Sequence, residues 1–423
     1  MIGSLLLWVP ASSERPGPGR FMDALFTSVS AVTVTGLNVV DTATHWTAFG
    51  QLVILLLIQI GGFGIVASTS LLAIMVSRRI GLTMQLSAQT ETTSMSSGDV
   101  LRVLRRLIRY TAVIELVVAA LLTVRFAWVY DESVGRSLWL GAFHGISAFN
   151  NAGFALFSDS LERFVGDAWI NLTIDAAVVL GGLGFPVLHE LRHEWRRPNL
   201  WSLSTRMVVL ATGFLLAVGT VTFLALEWGN ERTLGQLSVP GKLLASFTMS
   251  VMPRTAGFAS VNVEGMQDAS WLFTDVLMFI GGGSASTAGG VKISTVIVLV
   301  LVVFAAARGQ QDVRGFGRRI DPRAIREATV VFLLFLFLVL VGTGVFVSTS
   351  QFSLDSSLYE VISAVSTVGL SHGITADLTL PDELVLIVLM FVGRVGPATV
   401  ATALALRRST ALYYPPVERP MVG

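Results

Sequence analysis

The sequence predicts an all-α membrane protein, and three observations carry that expectation. Of 423 residues, 53% are hydrophobic and 13% charged, against about 25% charged in an ordinary soluble domain. Apolar runs at 52–57, 113–122 and 296–307 sit inside weakly polar stretches of roughly 20 residues, the length that crosses a bilayer. A short motif centred on a glycine also recurs four times along the chain.

Taken in order, residues 2–9 are apolar but too few to span. No basic run precedes them and no small-residue cleavage site follows, so they do not read as a signal peptide. They are expected to be an outer helix cut short at Met1. Spanning candidates follow at 46–77, 103–130, 168–189, 206–228, 271–307, 325–348 and 383–406. At ~1.5 Å per residue the first of these reaches about 45 Å and is expected to tilt or project. The stretch 271–307 is too long for one span and has a glycine-rich interruption. Between the spans lie semi-polar segments at 22–35, 138–152, 242–254 and 355–366, helical in character. Too short to cross, they are expected to dip in and return on the same side. With no cysteine, the chain has no disulfide, thiolate metal site or cysteine nucleophile.

Basic charge is nearly all arginine, since Lys242 and Lys292 are the only lysines. Arginines crowd the connections 78–109, 190–206 and 308–326 and the tail after 406, while the connections bearing the semi-polar segments are poor in them. By the positive-inside rule the arginine-rich loops are expected to be cytoplasmic and the re-entrant segments to enter from outside.

The four copies align without a gap. Each has an aromatic residue (Phe26, Phe143, Phe247, Tyr359) ten positions before a glycine (Gly36, Gly153, Gly257, Gly369), with Leu or Phe directly after it. Three copies carry Ser-Ala at one place, and the third has Val251-Met252 there. The glycines recur at intervals of 117, 104 and 112 residues, so one period covers nearly the whole chain. Non-helical backbone at membrane depth survives only where it lines a wet cavity or is buried in protein. Four such segments around one axis present rings of carbonyls that replace the hydration shell of a cation. The expected ligands are the backbone carbonyls of Thr33, Val34, Thr35 and Gly36; Asn150, Asn151, Ala152 and Gly153; Arg254, Thr255, Ala256 and Gly257; and Ser366, Thr367, Val368 and Gly369. The fourth copy, Thr367-Val368-Gly369-Leu370, is close to the start of the potassium-channel Thr-Val-Gly-Tyr-Gly signature. None of the copies has its second glycine, so a shorter filter is expected. Re-entrant helices aiming their partly negative C-termini at the axis further favour a cation.

With Gly281–Lys292 and 393–397 (Gly-Arg-Val-Gly-Pro), these loops make the chain resemble the Trk/Ktr/HKT superfamily of potassium transporters, most closely its Ktr-type membrane subunit. The resemblance implies four outer helix–pore loop–inner helix repeats in pseudo-fourfold arrangement around one central pore, divided here at 1–77, 78–193, 194–308 and 309–423. It implies that Gly36, Gly153, Gly257 and Gly369 are the filter glycines. Glycine rather than serine at the first position favours potassium over sodium. The implied assembly is a homodimer on a cytoplasmic ring of nucleotide-binding regulatory subunits (Ktr-type), with K+ as transported ion, Na+ as stimulant and no organic cofactor in this chain. A sodium or non-selective monovalent cation transporter of the same fold is the alternative.

In the resemblance the segment built on Gly281, Gly282, Gly283, Ser284, Ser286, Thr287, Gly289, Gly290 and Lys292 is an intramembrane loop that blocks the pore. Arg394 matches an arginine that projects beneath the filter. From the residues alone, Lys292 and Arg394 are basic groups inside apolar spans, where a charge is costly and faces a cavity or partner. Arg254, in the third loop, either pairs with a carboxylate behind it, such as Glu264 or Asp268, or points inward, where it would repel potassium; the sequence does not settle its partner. Asp23, Asp41, Glu162, Asp167, Asp268, Asp377 and Asp382 fall on the outer side, where they would concentrate cations at the mouth, with ordinary solvated loop charge the better description for most of them. A rival class rests on His189-Glu190-Leu191-Arg192-His193, a literal H-E-x-x-H string that places two zinc ligands one helical turn apart with a glutamate base. It lacks an evident third ligand, because His45, His144 and His372 are expected at the opposite face, so no zinc and no enzyme activity are expected.

Overall fold

The computed structural model describes residues 1–14, 19–64, 67 and 97–406, with only the backbone described at 97–103 and 397–406. The chain starts with α1 (Ile2–Trp8), α2 (Phe21–Thr33), α3 (Thr42–His45) and α4 (Ala48–Gly64). The rest of the expected span 46–77, the boundary at 77 and the tail lie outside the described residues. Next come α5 (Ser97–Val129), α6 (Val134–Phe149), α7 (Ala168–Leu183) and α8 (Phe185–Glu194). The third group is α9 (Leu203–Glu227), α10 (Val239–Val251), α11 (Asp268–Phe279) and α12 (Ile293–Ala307). The last is α13 (Pro322–Thr349), α14 (Leu354–Ser366) and α15 (Leu380–Leu406). Two-residue strands β1 (Arg314–Gly315) and β2 (Arg318–Arg319) pair antiparallel in the connection between α12 and α13.

Length and apolarity separate the roles. Among the described residues α5, α9 and α13 are long and apolar enough to cross a bilayer, while α4 and α12 are shorter apolar helices. The short helices α6, α10 and α14 are started by serine caps: Ser133, Ser238 and Ser353 accept hydrogen bonds from the backbone N–H of Arg136, Gly241 and Ser356. Such a cap satisfies one of the free donors of a helix's first turn. It lets a short helix begin sharply where it turns back into the protein. Each of α6, α10 and α14 packs on the long helix before it, α5, α9 and α13, and α2 packs on α1.

The expected single span 168–189 is bent. The axes of α7 and α8 meet at 102° across Gly184. Gly184 has φ of +92°, and a Cβ there would lie 2.5 Å from the Ser284 carbonyl oxygen. The Phe185 N–H donates to Ala285 O at 3.2 Å, so α7 ends where the glycine-rich loop needs room. The stretch 271–307 is broken, as its composition indicates, into α11 and α12 with that loop between them.

The packing closes on itself. Helix α7 contacts α10, α11 contacts α14, and α15, the last helix, contacts α2 near the start. Helix α4 meets α6 where Trp139 Nε1 donates to Gln51 Oε1 at 3.0 Å, so α4, α7 and α11 each touch the next short helix and α15 touches the first. The buried core follows this circle, with one cluster around Phe143, Phe154 and Phe258 and another around Phe26, Phe335 and Tyr359.

Candidate ion pathway

The four loops share one backbone device. Val34, Asn151, Thr255 and Thr367 all have positive φ, at 57°, 59°, 70° and 49°, and two residues on Gly36, Gly153, Gly257 and Gly369 do too. Positive φ is uncommon outside glycine and a genuine outlier for a β-branched residue. Three of the four non-glycine positions are β-branched. Held-in strain of this kind clusters at functional sites. Glycine alone was expected to adopt left-handed angles here. The partner position two residues earlier carries no sequence signal, because Val, Asn and Thr share no preference for that conformation.

The glycines close a ring. A Cβ on Gly36 would strike the carbonyl oxygen of Ala152, one on Gly257 that of Val368, and one on Gly369 that of Thr35; on Gly153 it would meet Ala256 O at 2.9 Å. In each case the next loop's glycine Cα also lies within 3.2 Å of the added atom. The order Gly36, Gly153, Gly257, Gly369 and back to Gly36 brings together all four predicted glycines and the carbonyls just before them. Only a residue without a side chain lets the loops approach so closely.

The Ser-Ala pair holds the loops. The Gly36 N–H donates to Ser30 Oγ at 3.1 Å and the Gly369 N–H to Ser363 Oγ at 3.0 Å. In the second copy Ser147 Oγ instead donates to Phe154 O at 2.7 Å. The third copy has Val251 in place of serine, and its Gly257 N–H turns to Met252 O at 3.3 Å. These hydroxyls tie the strand to the C-terminal turn of its own helix, whose free carbonyls favour positive charge nearby.

On one side of the ring lies an open cavity of about 350 Å³ to which all four glycines contribute, with Asp41, Glu162 and Glu264 in its wall. Of the acids expected at the mouth, Asp41 and Glu162 are there. Asp23 instead pairs with Arg20 at 3.6 Å, and Asp167 with Arg125 at 2.8 Å. Asp382 accepts from Thr349 and Thr379 at 2.6 Å each. Asp268 and Asp377 do not line this cavity. Half-burial pushes the Glu162 carboxyl above the ordinary glutamate range, and the negative charges of Asp159 and Glu264 add to that.

Beyond the inner ends of α6 and α14 runs the loop Gly281–Lys292. Its neck is closed by the Gly281 N–H to Val291 O at 2.9 Å and the Val291 N–H to Phe279 O at 3.1 Å. Thr287 Oγ1 donates to Phe149 O at 3.2 Å, at the end of α6. Gly289 lies against Ser366 O and Thr367 Oγ1, so close that a Cβ has no room. The loop therefore touches the second and fourth re-entrant segments together. Gly282 and Gly283 abut the carbonyls of Gly182 and Leu183 at the end of α7. Ser286 bonds back to Gly283 O at 2.6 Å, and Gly290 has φ of +65°.

Arg394 is buried and reaches Thr367 Oγ1 at 3.3 Å, while Lys292 Nζ donates to Ala288 O at 2.5 Å. Both predicted intramembrane cations thus meet the loop system. Arg254 departs from expectation. It is buried, donates to Thr212 Oγ1 of α9 at 3.3 Å, and has no carboxylate within ion-pair distance among the described residues. The reason is its side of the ring: Arg254 borders Gly182 and Gly282, whereas Glu264 lines the open cavity.

One group escaped sequence reading. Glu115 of α5 is buried and accepts from Asn150 Nδ2 at 2.9 Å and from Gln59 Nε2 at 3.2 Å. Asn150 also donates to Gln59 Oε1 at 3.0 Å, which fixes the second loop from behind. A lone glutamate in an apolar span was the available signal. Glu360, in α14, likewise holds Ser371 and Thr375 after the fourth loop.

The H-E-x-x-H residues are arranged differently from a metal site. His193 Nδ1 is 2.9 Å from His189 O, and Glu190 turns away to Ser202 and Thr205. Among the described residues no three His, Cys, Asp or Glu side chains converge on a metal-sized point.

Comparison with known proteins agrees with this architecture. The family described as TrkH, cation transport protein, matches residues 2–411. The chain is 40% identical over 418 residues to Ktr system potassium uptake protein B of Bacillus subtilis, covering 99% of this chain and 93% of that one. It is 35% identical over 429 residues to potassium/sodium uptake protein NtpJ of Enterococcus hirae, covering 100% and 94%. Among solved structures, the potassium transporter TrkH from Vibrio parahaemolyticus matches with a TM-score of 0.71 over 93% of this chain and 79% of that chain, at 18% identity, a likeness of fold. With a family match over nearly its whole length and the fold to go with it, the chain belongs to the TrkH family of cation transport proteins and is a transporter, not an enzyme.

Proposed function

We propose that this chain is the ion-translocating subunit of a potassium uptake system, with a pseudo-fourfold pathway along the axis of the glycine ring. The observation that carries the reading is the cyclic contact of Gly36, Gly153, Gly257 and Gly369, each against the carbonyl that precedes the next. Rings of carbonyls substitute for water around a dehydrated cation. The open cavity with Asp41, Glu162 and Glu264 is then the outer vestibule, and the arginine-rich connections are cytoplasmic. The loop Gly281–Lys292, docked under the second and fourth segments with Arg394 beside it, is the gate that holds the path shut. A homodimer on a nucleotide-binding regulatory ring at the arginine-rich face is the assembly this reading implies.

Flux into proteoliposomes, with potassium, rubidium and sodium compared in parallel, tests the assignment. Potassium and rubidium should enter at similar rates, at least tenfold faster than sodium on the scale of about 1.4 kcal/mol of discrimination. Equal sodium entry would favour the sodium or non-selective alternative, which the name of the Enterococcus hirae relative, a potassium/sodium uptake protein, keeps in view.

A further inference from the structure

The H-E-x-x-H segment and the start of α5 form a cluster for which ion conduction has no use. Arg106, Arg109 and Tyr110 of α5 face His189, Arg192 and His193 of α8 across a cavity of about 690 Å³. It lies at the opposite end of α5 from Arg125, which pairs with Asp167. At ~1.5 Å per residue the two ends are separated by about 27 Å, close to the thickness of a hydrocarbon core. The cavity therefore sits at one membrane boundary, the one carrying the arginines.

Among the described residues its charges have no counter-ion. None of Arg106, Arg109 and Arg192 has a carboxylate within 4.0 Å among the described residues. Of the acids two residues either side of Arg192, Glu190 is bound to Ser202 and Thr205, and Glu194 makes no ion pair among the described residues. The Arg192 guanidinium stacks 5.2 Å from the Tyr110 ring centre, so this side chain is held in place. The His189 and His193 rings lie 4.5 Å apart, and the buried His189 Nδ1 has no hydrogen-bond partner. Three guanidinium groups gathered without an acid repel one another, and an anion between them relieves that repulsion.

The shape of the cavity selects among anions. Its remaining wall is Val113 and Ile114, apolar and continuous with the outward face of α5. That face exposes Val113 by 54%, Leu116 by 70% and Val117 by 54%, a surface that meets acyl chains in a bilayer. A free phosphate needs no apolar wall, whereas a phospholipid needs both parts.

We propose that the cavity between α5 and α8 binds the phosphodiester headgroup of an anionic phospholipid, with its acyl chains laid along the exposed face of α5. Basic pockets between spanning helices recognise such headgroups, and guanidinium forks suit phosphate oxygens.

The full-length chain in neutral detergent tests this by thermal unfolding and by lipid retention in native mass spectrometry. The additions are phosphatidylglycerol, phosphatidylcholine, inorganic phosphate or polyglutamate. Phosphatidylglycerol should raise the melting temperature and stay bound, and phosphatidylcholine and inorganic phosphate should do neither. Replacing Arg106, Arg109 and Arg192 together with Gln should weaken retention of phosphatidylglycerol by about tenfold or more. Replacing Arg314 and Arg319 with Gln, in the β1–β2 hairpin, should leave it unchanged. If the triple Gln variant is poorly folded, the same three changes to Lys keep the charge, lose the fork and should give intermediate retention. Equal stabilisation by inorganic phosphate would overturn the proposal in favour of a free-anion site. Stronger protection by polyglutamate would overturn it in favour of a protein-docking face. Equal retention of the two lipids by the unmodified chain would overturn it outright.

Discussion

Val34, Asn151, Thr255 and Thr367 show how much of the pathway rests on single backbone angles. Their left-handed conformation, two residues before each glycine, costs of order 1–3 kcal/mol apiece and persists only where surroundings impose it. Gly257→Ala adds both a strained φ of +74° and a collision with the Val368 carbonyl. We expect this variant to reach the membrane but to lose potassium flux by at least about tenfold, the change for ~1.4 kcal/mol. Rubidium uptake by the purified variant measures it. Glu115 acts one layer further out. Removing its side chain in Glu115→Ala takes the acceptor from Gln59 Nε2 and leaves Asn150 Nδ2 with only Gln59 Oε1 and Ile146 O, at a cost of about 1–3 kcal/mol. We expect a lower melting temperature and a smaller potassium-to-sodium flux ratio, with Glu115→Gln closer to the parent protein in both. The glycines were legible because a repeat in register marks them. The Glu115 contact was not, because 35 residues separate it from Asn150 and no local pattern joins them.

At the level of helices, the short semi-polar segments were readable from length and polarity, and α2, α6, α10 and α14 each begin and end within a few residues of them. The 102° turn between α7 and α8 was not. It depends on the carbonyl of Ser284, about a hundred residues later, and hydropathy along a span carries no record of such a neighbour. Gly184→Ala should disturb that junction, since it forces a Cβ onto a residue with φ of 92° and ψ of 148°, a region essentially restricted to glycine, at a cost of about 1–3 kcal/mol. The loop Gly281–Lys292 would then dock less firmly against α7. The expected result is a higher potassium flux in the absence of any regulatory partner, read against the parent protein in the same liposomes. An unchanged or lower flux would detach the bend from gating. The misplaced expectation for Arg254 has the same origin: composition placed acids and a cation near one another, and the ring separates them.

Across the whole molecule, charge and closure set the behaviour. The open cavity, the outer vestibule of the proposed pathway, gathers Asp41, Glu162 and Glu264, and the Glu162 carboxyl is held above its usual range by half-burial and by its acidic neighbours. A raised value means that protonation begins at a higher pH than for a free glutamate, so acidification removes this charge first. The charged form is the strained one here, and its cost appears as pH rises through the shifted value. Potassium entry should therefore fall as external pH drops from 7 towards 5, and Glu162→Gln should start lower and vary less over that range. Flux at a series of external pH values decides it. The contact of α15 with α2 bears on how the protein is made. No peptide bond joins the fourth quarter to the first, so the seam between them is closed by non-covalent contacts alone, the Arg20–Glu383 ion pair at 3.5 Å among them. A chain emerging from the ribosome must keep α2 waiting, unsealed, until its last helix has been inserted. Interrupted synthesis then yields no leaky partial conduit, and quality control would see every unfinished copy through the same unfilled face of α2.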